Sequence, residues 1–227
     1  MLARTCLTLL MPINTIVKRN SISTPLPRDL VRSYLCQIIM GVMECHSHDI
    51  WHRDLRPSNI LINGQGKIKI ADFGLCKRVG NSLQTLTHEV VTLWYRCPEV
   101  LLGKIMYSKA IDVWSIGVIF SEMVTKRPLW PGDSEVDQLF KIYRSLGTPN
   151  ESTWLGCTAL PNYNTSFPQW KPALNEMFLM HNCTLDEDGF SLLLSFLTYD
   201  PAKRIHLEDA LSHKWLCDYF LETEWSV

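Results

Sequence analysis

The most informative stretch of the chain is His52-Arg53-Asp54-Leu55-Arg56-Pro57-Ser58-Asn59. It places a carboxylate, Asp54, a few residues before an amide, Asn59. A carboxylate can accept or orient a hydroxyl proton, and an amide oxygen can hold a magnesium ion, so the pair suits phosphoryl transfer. The triplet His-Arg-Asp alone is weakly informative, because short motifs recur by chance in chains of this length.

A second candidate metal ligand follows a predicted hairpin. The strand-like runs Asn59–Ile62 and Lys67–Ala71 flank the turn cluster Asn63-Gly64-Gln65-Gly66 and predict two paired strands. Asp72-Phe73-Gly74 comes directly after them. An Asp in this setting supplies a magnesium ligand in protein kinases, although the triplet alone is also compatible with a simple turn.

Three further features follow in the order found in protein kinases. They are Cys97-Pro98-Glu99, which resembles Ala-Pro-Glu, the helix opening Asp112-Val-Trp-Ser-x-Gly117, and Arg204 after Asp200-Pro201. The kinase fold pairs such a Glu with a distant Arg, so we expect Glu99 to pair with Arg204. The alternative is two independent surface charges, which contribute little to stability.

The remaining pattern predicts a mainly helical domain. Apolar residues recur at helical spacing after Pro27 and predict a helix to about Ser47. Further helices are predicted from Asp112, from near Ser134 to Gly147, near Asp188–Thr198 and near Leu207–Leu216. The segment Phe73–Val91 lacks periodicity and is predicted to be a long loop.

Composition narrows the class of protein. The chain has 227 residues, is 46% hydrophobic and carries a net charge of -1, which argues against nucleic acid or an anionic membrane as its main partner. None of the eight cysteines has zinc-site spacing, and we interpret them as reduced thiols of an intracellular protein, nuclear or cytoplasmic. No apolar run is long enough to span a bilayer.

Two other stretches make the resemblance specific. Thr87-His-Glu-Val-Val-Thr-Leu-Trp-Tyr-Arg96 and Gly132-Asp-Ser-Glu-Val-Asp-Gln-Leu-Phe140, with Leu146-Gly-Thr-Pro149 behind the latter, resemble cyclin-dependent protein kinases of the cell-division-cycle type. The likeness covers about residues 25–216. It implies a kinase C-lobe with a small β-hairpin at the catalytic cleft, after a divergent segment 1–24 and before a tail 217–227. Leu9–Asn14 is a candidate remnant of the segment that joins the two kinase lobes.

The resemblance implies a role for each candidate residue. Those expected at the reaction centre are Asp54, Arg56 and Asn59 for catalysis, Asn59 and Asp72 for magnesium, and Leu61 and Ala71 beside ATP. Those expected in the activation segment are the phosphorylation site Thr87, its phosphate ligands Arg53 and Lys77, and the substrate-proline pocket Val90, Val91 and Arg96. The expected structural residues are Glu99, Asp112 and Arg204, and the region Gly132–Phe140 is expected to bind a Cks-type adaptor.

The sequence also departs from that family. Upstream of His52 there is no Gly-x-Gly-x-x-Gly loop and no Val-Ala-Ile-Lys strand, so the ATP-gripping N-lobe is expected to be absent from this chain. Arg56 and Lys77 stand where the family has Lys and Arg, respectively. We expect a Ser/Thr kinase that modifies residues followed by Pro, with cyclin as the partner of a full-length form and this chain alone inactive or severely impaired. The alternative is a non-catalytic lobe that docks substrates or the adaptor and competes with a full kinase.

Overall fold

The computed structural model describes residues 10–15, 26–78, 93–105, 108–180 and 185–217. Its helices are α1 (Arg28–Ser47), α2 (Pro98–Leu101), α3 (Ala110–Thr125), α4 (Glu135–Leu146), α5 (Leu174–Met180), α6 (Glu187–Phe196) and α7 (Leu207–Leu211). Its strands are β1 (Met11–Pro12), β2 (Ile50–Trp51), β3 (Ile60–Ile62), β4 (Ile68–Ile70) and β5 (Lys77–Arg78). The predicted mainly helical class is confirmed.

Helix α1 begins and ends where the sequence pattern predicts. Pro27 starts it, and its carbonyl accepts hydrogen bonds from the backbone amides of Leu30 and Val31. The apolar face then runs through Leu35, Ile39 and Val42, which are fully buried. The helix therefore forms because one continuous stripe of it can be removed from water.

Helix α3 is the centre of the core, since every one of its residues is buried. It packs against α1 on one side and α6 on the other. Gly117 permits the close approach of α6, because a Cβ there would lie 2.6 Å from the Cβ of Phe196. Trp114 stacks on Trp130 at 5.6 Å between ring centroids, which fixes the start of α3 against the following loop.

The predicted hairpin is present as β3 and β4, with Leu61 opposite Lys69. Strand β1 adds to its free edge with Pro12 opposite Leu61, a pairing that the sequence did not predict. Ile13, just beyond, is 1% exposed. A short piece of the predicted divergent N-terminal segment is therefore packed into the domain beside the hairpin. Leu9 lies outside the described residues.

Some boundaries predicted from sequence are wrong. The segment predicted as a loop from Phe73 contains a 3₁₀ turn, Phe73–Leu75, and then β5, which pairs antiparallel with β2. Helices α2 and α5 were missed. The helix predicted to reach Leu216 is interrupted, because α7 ends at Leu211 and the chain is helical again only at residues 214–217. These elements are too short to show periodicity in the sequence.

Two further findings concern the cysteines and the helices of the residues that the structure describes. The cysteines that the structure describes are all free, namely Cys36, Cys45, Cys76, Cys97, Cys157 and Cys217. Within the same residues, no helix combines the length and the apolar character needed to cross a membrane.

Candidate active site

The loop that follows β2 is held at its start by the buried carboxylate of Asp112. One carboxylate oxygen accepts the backbone N–H of His52 at 2.9 Å, and the other accepts that of Arg53 at 2.8 Å. These contacts hold Arg53 in the left-handed region, at φ 66°, which costs about 1–3 kcal/mol for a residue with a side chain. Because Asp112 lies in the first turn of α3, the site is attached to the most buried helix of the domain.

His46 is a functional residue that the sequence analysis missed. Its Nε2–H donates to Asp112 at 2.8 Å, so the carboxylate receives three donors in all. A signal was available, since Ile38, Val42 and His46 follow one another at intervals of four on the buried face of α1. A polar residue that continues an apolar stripe needs a buried partner.

His52 and Ala71 join the loop to the end of the hairpin. The ring Nε2 of His52 donates to the Ala71 carbonyl at 3.0 Å, and its Nδ1 accepts the Asp54 backbone N–H at 3.3 Å. This pairing defines the neutral tautomer with the proton on Nε2. The Ala71 N–H donates to the Asn59 carbonyl at 2.9 Å. Ala71, the residue before Asp72, is therefore bonded to both ends of the loop.

The side chains of Asp54 and Asn59 are in direct contact. Asn59 donates from Nδ2 to the Asp54 carbonyl at 2.8 Å and to its carboxylate at 3.0 Å. Both hydrogens of that amide are thereby used. Its Oδ1 accepts a hydrogen bond from the Ser58 hydroxyl at 3.4 Å and keeps a second lone pair that can coordinate an ion. The Asp54 side chain is 10% exposed, and its Oδ2 lies 3.4 Å from Nε of Arg56. A carboxylate with a fixed orientation is thus open to a small approaching group.

Asp72 lies at the exposed end of β4. It adopts the left-handed region at φ 65°, and its carboxylate accepts the Gly74 N–H at 3.4 Å. Among the residues that the structure describes, most of its acceptor capacity is unused. Next to it, the Phe73 ring packs on His52 at 5.1 Å between centroids and remains 41% exposed. Asp72 therefore presents a carboxylate to solvent from a backbone that is anchored through its neighbours.

An oxygen donor set of this kind fits magnesium. Asn59 Oδ1 and the Asp72 carboxylate are hard oxygen ligands, which Mg²⁺ prefers and usually combines with water and phosphate oxygens. A set of three or more His, Cys, Asp or Glu side chains that could hold a metal without a substrate does not occur among residues 10–15, 26–78, 93–105, 108–180 and 185–217. Asn59 and Asp72 could therefore supply two of the ligands of a magnesium ion whose other ligands are water and phosphate oxygens.

Leu61 lies on β3 between the partner strands β1 and β4 and is half-buried. Leu10, just before β1, is exposed at 41%, as is Phe73 beyond β4. Phe73 therefore presents an apolar side chain to solvent next to Asp72. Leu10 lies instead near the turn end of the hairpin, because Met11 is opposite Ile62 and Ile70 is opposite Ile60.

The chain around Arg96 is tied to the region Gly132–Phe140. Arg96 forms an ion pair with Glu135 at 3.1 Å, and the Trp94 indole N–H donates to the Gly132 carbonyl at 3.0 Å. Gln138 donates to the Trp94 carbonyl at 3.3 Å and accepts the Gly132 N–H at 3.0 Å. The sequence analysis assigned these two stretches to different partners. In the structure they are in direct contact with each other.

Tyr95 fixes the same segment to α3. Its hydroxyl donates to Glu122 at 2.5 Å, and its carbonyl accepts from the Ser115 hydroxyl at 3.0 Å. Burial, followed by the neighbouring Glu122 carboxylate, raises the pKa of Tyr95 well above its usual range. Tyr95 therefore remains a hydrogen-bond donor over the whole physiological pH range.

Glu99 and Arg204 meet in the interior. Two hydrogen bonds of 2.8 and 3.0 Å join the guanidinium to the carboxylate, and both side chains are at most 1% exposed. Arg204 also donates to the carbonyls of Thr198, Ala110 and Tyr199, so all five of its N–H groups are used. The ion pair connects α2, which follows Cys97, to the turn before α7.

Several candidate residues cannot be placed in the site. Thr87, Val90 and Val91 lie outside the described residues. The backbone of Lys77 is described in β5, opposite Trp51. Arg53, the other expected phosphate ligand, donates from Nε to the Leu75 carbonyl at 2.5 Å, which places it beside the turn after Asp72.

The chain matches the model of a known protein family. A model of the protein kinase domain matches residues 7–216, which is nearly the whole chain. The match begins within the first 24 residues and so includes strand β1. It also covers every one of the candidate residues above.

Proposed function

The chain belongs to the protein kinase domain family, and from that premise we propose that it acts in a Ser/Thr kinase of the cyclin-dependent type. The reaction is transfer of the γ-phosphoryl group of ATP to a Ser or Thr followed by Pro. The observation that carries the proposal is the contact between the Asp54 and Asn59 side chains. Hydrogen bonds of Asn59 and His52 with Ala71, the residue before Asp72, connect this pair to Asp72. In this proposal residues 25–216 are the C-lobe, between an N-terminal segment and a C-terminal tail.

Asp54 accepts the proton of the substrate hydroxyl in the proposed reaction. The hydroxyl oxygen forms a bond to the γ-phosphorus as the bond from that phosphorus to the bridging oxygen of ADP breaks. Asn59 holds the Asp54 carboxylate in place, and Arg56, 3.4 Å from that carboxylate, is close enough to offer positive charge to the transferred group. Magnesium held by Asn59 and Asp72 supplies neutralisation of phosphate charge when bound.

Substrate and nucleotide contacts are assigned by the same resemblance. Leu61 and Ala71 border the nucleotide, since both lie on or next to the hairpin that ends at Asp72. Val90, Val91 and Arg96 form the pocket for the substrate proline. Phosphorylated Thr87 is bound by Arg53 and Lys77, and cyclin is the proposed partner of a form that carries an N-lobe.

A pair of peptides tests the proposed specificity. The native polypeptide is purified from source cells with an antibody to residues 217–227, and its mass is compared with the 26.2 kDa calculated for this chain. We expect kcat/KM for a Ser-Pro peptide to exceed that for the matched Ser-Ala peptide by on the order of tenfold or more, because a pocket contact is lost. Equal rates with the two peptides would contradict the proline-directed assignment. If the native polypeptide is larger than 26.2 kDa and still transfers no phosphate from ATP, the kinase proposal is contradicted.

A second candidate function is binding of a Cks-type adaptor without catalysis. The observation that favours it is Val136, which is 52% exposed in the first turn of α4, inside the region Gly132–Phe140. The Arg96–Glu135 ion pair and the Trp94–Gly132 hydrogen bond hold this region in place without any other domain.

Substitution of Val136 distinguishes this function. Val136→Asp should reduce capture of a purified Cks-type adaptor at least tenfold, because a charge replaces the apolar contact. Leu179→Asp is the matched control, since Leu179 is 57% exposed on α5 and lies outside the region. Equal capture by the two variants, or no capture by the parent chain, would argue against this function.

A further inference from the structure

A cavity of about 280 Å³ lies between α1, the start of α3 and the start of α7, and His46 is one of its lining residues. Its wall includes the half-buried Met43 and Ile205 and the buried Val113. Its rim is formed by exposed polar side chains. An apolar cavity with a polar rim is the ordinary form of a small-molecule site, and this volume suits a ligand of fragment size.

The polar groups around the cavity favour an anionic ligand. Lys109, exposed on the rim, forms no ion pair within the part of the chain that the structure describes. Beside it, the hydroxyl oxygen of Ser108 accepts the Ala110 N–H at 3.3 Å, which leaves the hydroxyl hydrogen to donate. The imidazole ring of His206 offers a further N–H donor at the rim. Glu208, in the first turn of α7, is the one carboxylate in the lining.

Two other lining residues connect the cavity to the candidate active site. His46 lies on the wall and donates to Asp112, which in turn holds the backbone of His52 and Arg53. Arg204 also contributes to the lining, and its five N–H groups are already used by Glu99 and backbone carbonyls. A ligand therefore contacts Arg204 without replacing its partners. In contrast, a ligand that restricts the motion of the His46 ring acts on a group that is hydrogen-bonded directly to Asp112.

We propose that this cavity binds a small organic carboxylate with an aromatic or branched apolar body, and that binding stiffens the loop 52–59. The apolar body packs on Met43, Val113 and Ile205. The carboxylate lies at the rim beside Lys109 and Ser108. The effect on the loop passes through His46 and Asp112. None of the lining residues is among those proposed to contact the nucleotide or the substrate.

Titration of the purified chain with 1-naphthoate and with neutral 1-naphthamide tests the site. Calorimetry should show one saturable site for both probes, with the carboxylate bound more tightly. Ala202→Trp, which fills the cavity from an exposed lining position, should raise both dissociation constants at least tenfold. Ala159→Trp, a matched change at an exposed position that does not line the cavity, should leave them within twofold.

A charge reversal tests the proposed place of the carboxylate. Lys109→Glu should raise the dissociation constant of 1-naphthoate at least fivefold and leave that of 1-naphthamide within twofold. Lys171→Glu, at another exposed lysine, should change neither. Probe binding that Ala202→Trp leaves unchanged would place the probe elsewhere, for example at the apolar surface near Leu61, and would overturn the proposal.

Amide hydrogen exchange tests the coupling. Saturating 1-naphthoate should slow exchange at the backbone amides of His52 and Arg53 at least threefold in the parent chain, and not in Ala202→Trp. Unchanged exchange at these amides in the saturated parent chain would overturn the coupling through His46. Phosphoryl transfer is not measured in any of these experiments, so their failure is distinguishable from failure of the proposed kinase function.

Discussion

Asp54→Asn is expected to lower kcat for phosphoryl transfer by about 10²–10⁴-fold, the range that a positioned general base contributes. The substitution preserves shape but removes the oxygen that takes the substrate proton. Its remaining side-chain oxygen can still accept the Asn59 hydrogen bond, now 3.0 Å long. The loop should therefore keep its structure, and KM for ATP should stay close to that of the parent protein. Steady-state kinetics of the native polypeptide with a Ser-Pro peptide measure both constants.

Asp49→Asn is the matched control for this experiment. Asp49 precedes the loop, is exposed, and adopts the left-handed region at φ 57°, which Asn tolerates well. The control should leave kcat within twofold. If Asp54→Asn and the control turn over at the same rate, Asp54 is not the base. That result would concern Asp54 alone and would leave the kinase assignment to be judged by the peptide experiment.

The sequence predicted the long elements because their patterns are local. The bounds of α1 follow from Pro27 and an apolar stripe, and those of α4 follow from two further signals. Ser134 caps α4 by accepting the Asp137 N–H at 3.2 Å, and Gly147 ends it at φ 85°. Each of these signals acts within a few residues of the element that it bounds.

The short strands depend instead on residues far away in the chain. Strand β1 forms because Met11 and Pro12 pair with the free edge of β3. Strand β5 forms because it pairs with β2. A strand of two residues has no periodicity of its own. No local pattern therefore distinguishes it from a loop.

The candidate site shows the same difference between local sequence signals and contacts that are distant in the chain. The motifs around Asp54 and Asp72 are recognisable from their order in the chain, because each contains its own residue types. The parts that orient them are dispersed. His46 and the backbone of Ala71 act through hydrogen bonds to residues remote in sequence, and neither belongs to a motif that the sequence analysis used. Sequence analysis thus identified the groups proposed to do chemistry more readily than the groups that hold them.

Glu99 and Arg204 are an exception, since they hold the fold and were still predictable in sequence. Their contribution to the free energy of unfolding depends on their burial. A buried ion pair contributes little net stability compared with apolar residues, but removal of one partner leaves an unpaired charge in a medium of low dielectric constant. Arg204 also satisfies the carbonyls of Thr198, Ala110 and Tyr199, each of which loses a donor if the guanidinium is removed.

Arg204→Met is therefore expected to lower the free energy of unfolding by about 3–5 kcal/mol, the cost of breaking a buried pair. Lys203→Met is the matched control, because Lys203 is 66% exposed and 3.9 Å from Asp200, and it should change stability by less than about 0.5 kcal/mol. Urea unfolding followed by tryptophan fluorescence measures both. Equal stability of the two variants would mean that the ion pair is not formed in solution.

The double variant Glu99→Leu, Arg204→Met separates the two parts of that cost. If the unpaired carboxylate dominates, removing it as well should recover most of the lost stability, because two apolar side chains can replace a buried pair. The three carbonyls stay without their donor in both variants, so recovery should be incomplete. A double variant no more stable than Arg204→Met would instead assign the role of Arg204 to the carbonyls. Arg204 would then act as the tie between the end of α6, the turn before α7 and the start of α3, with Glu99 as its counter-ion.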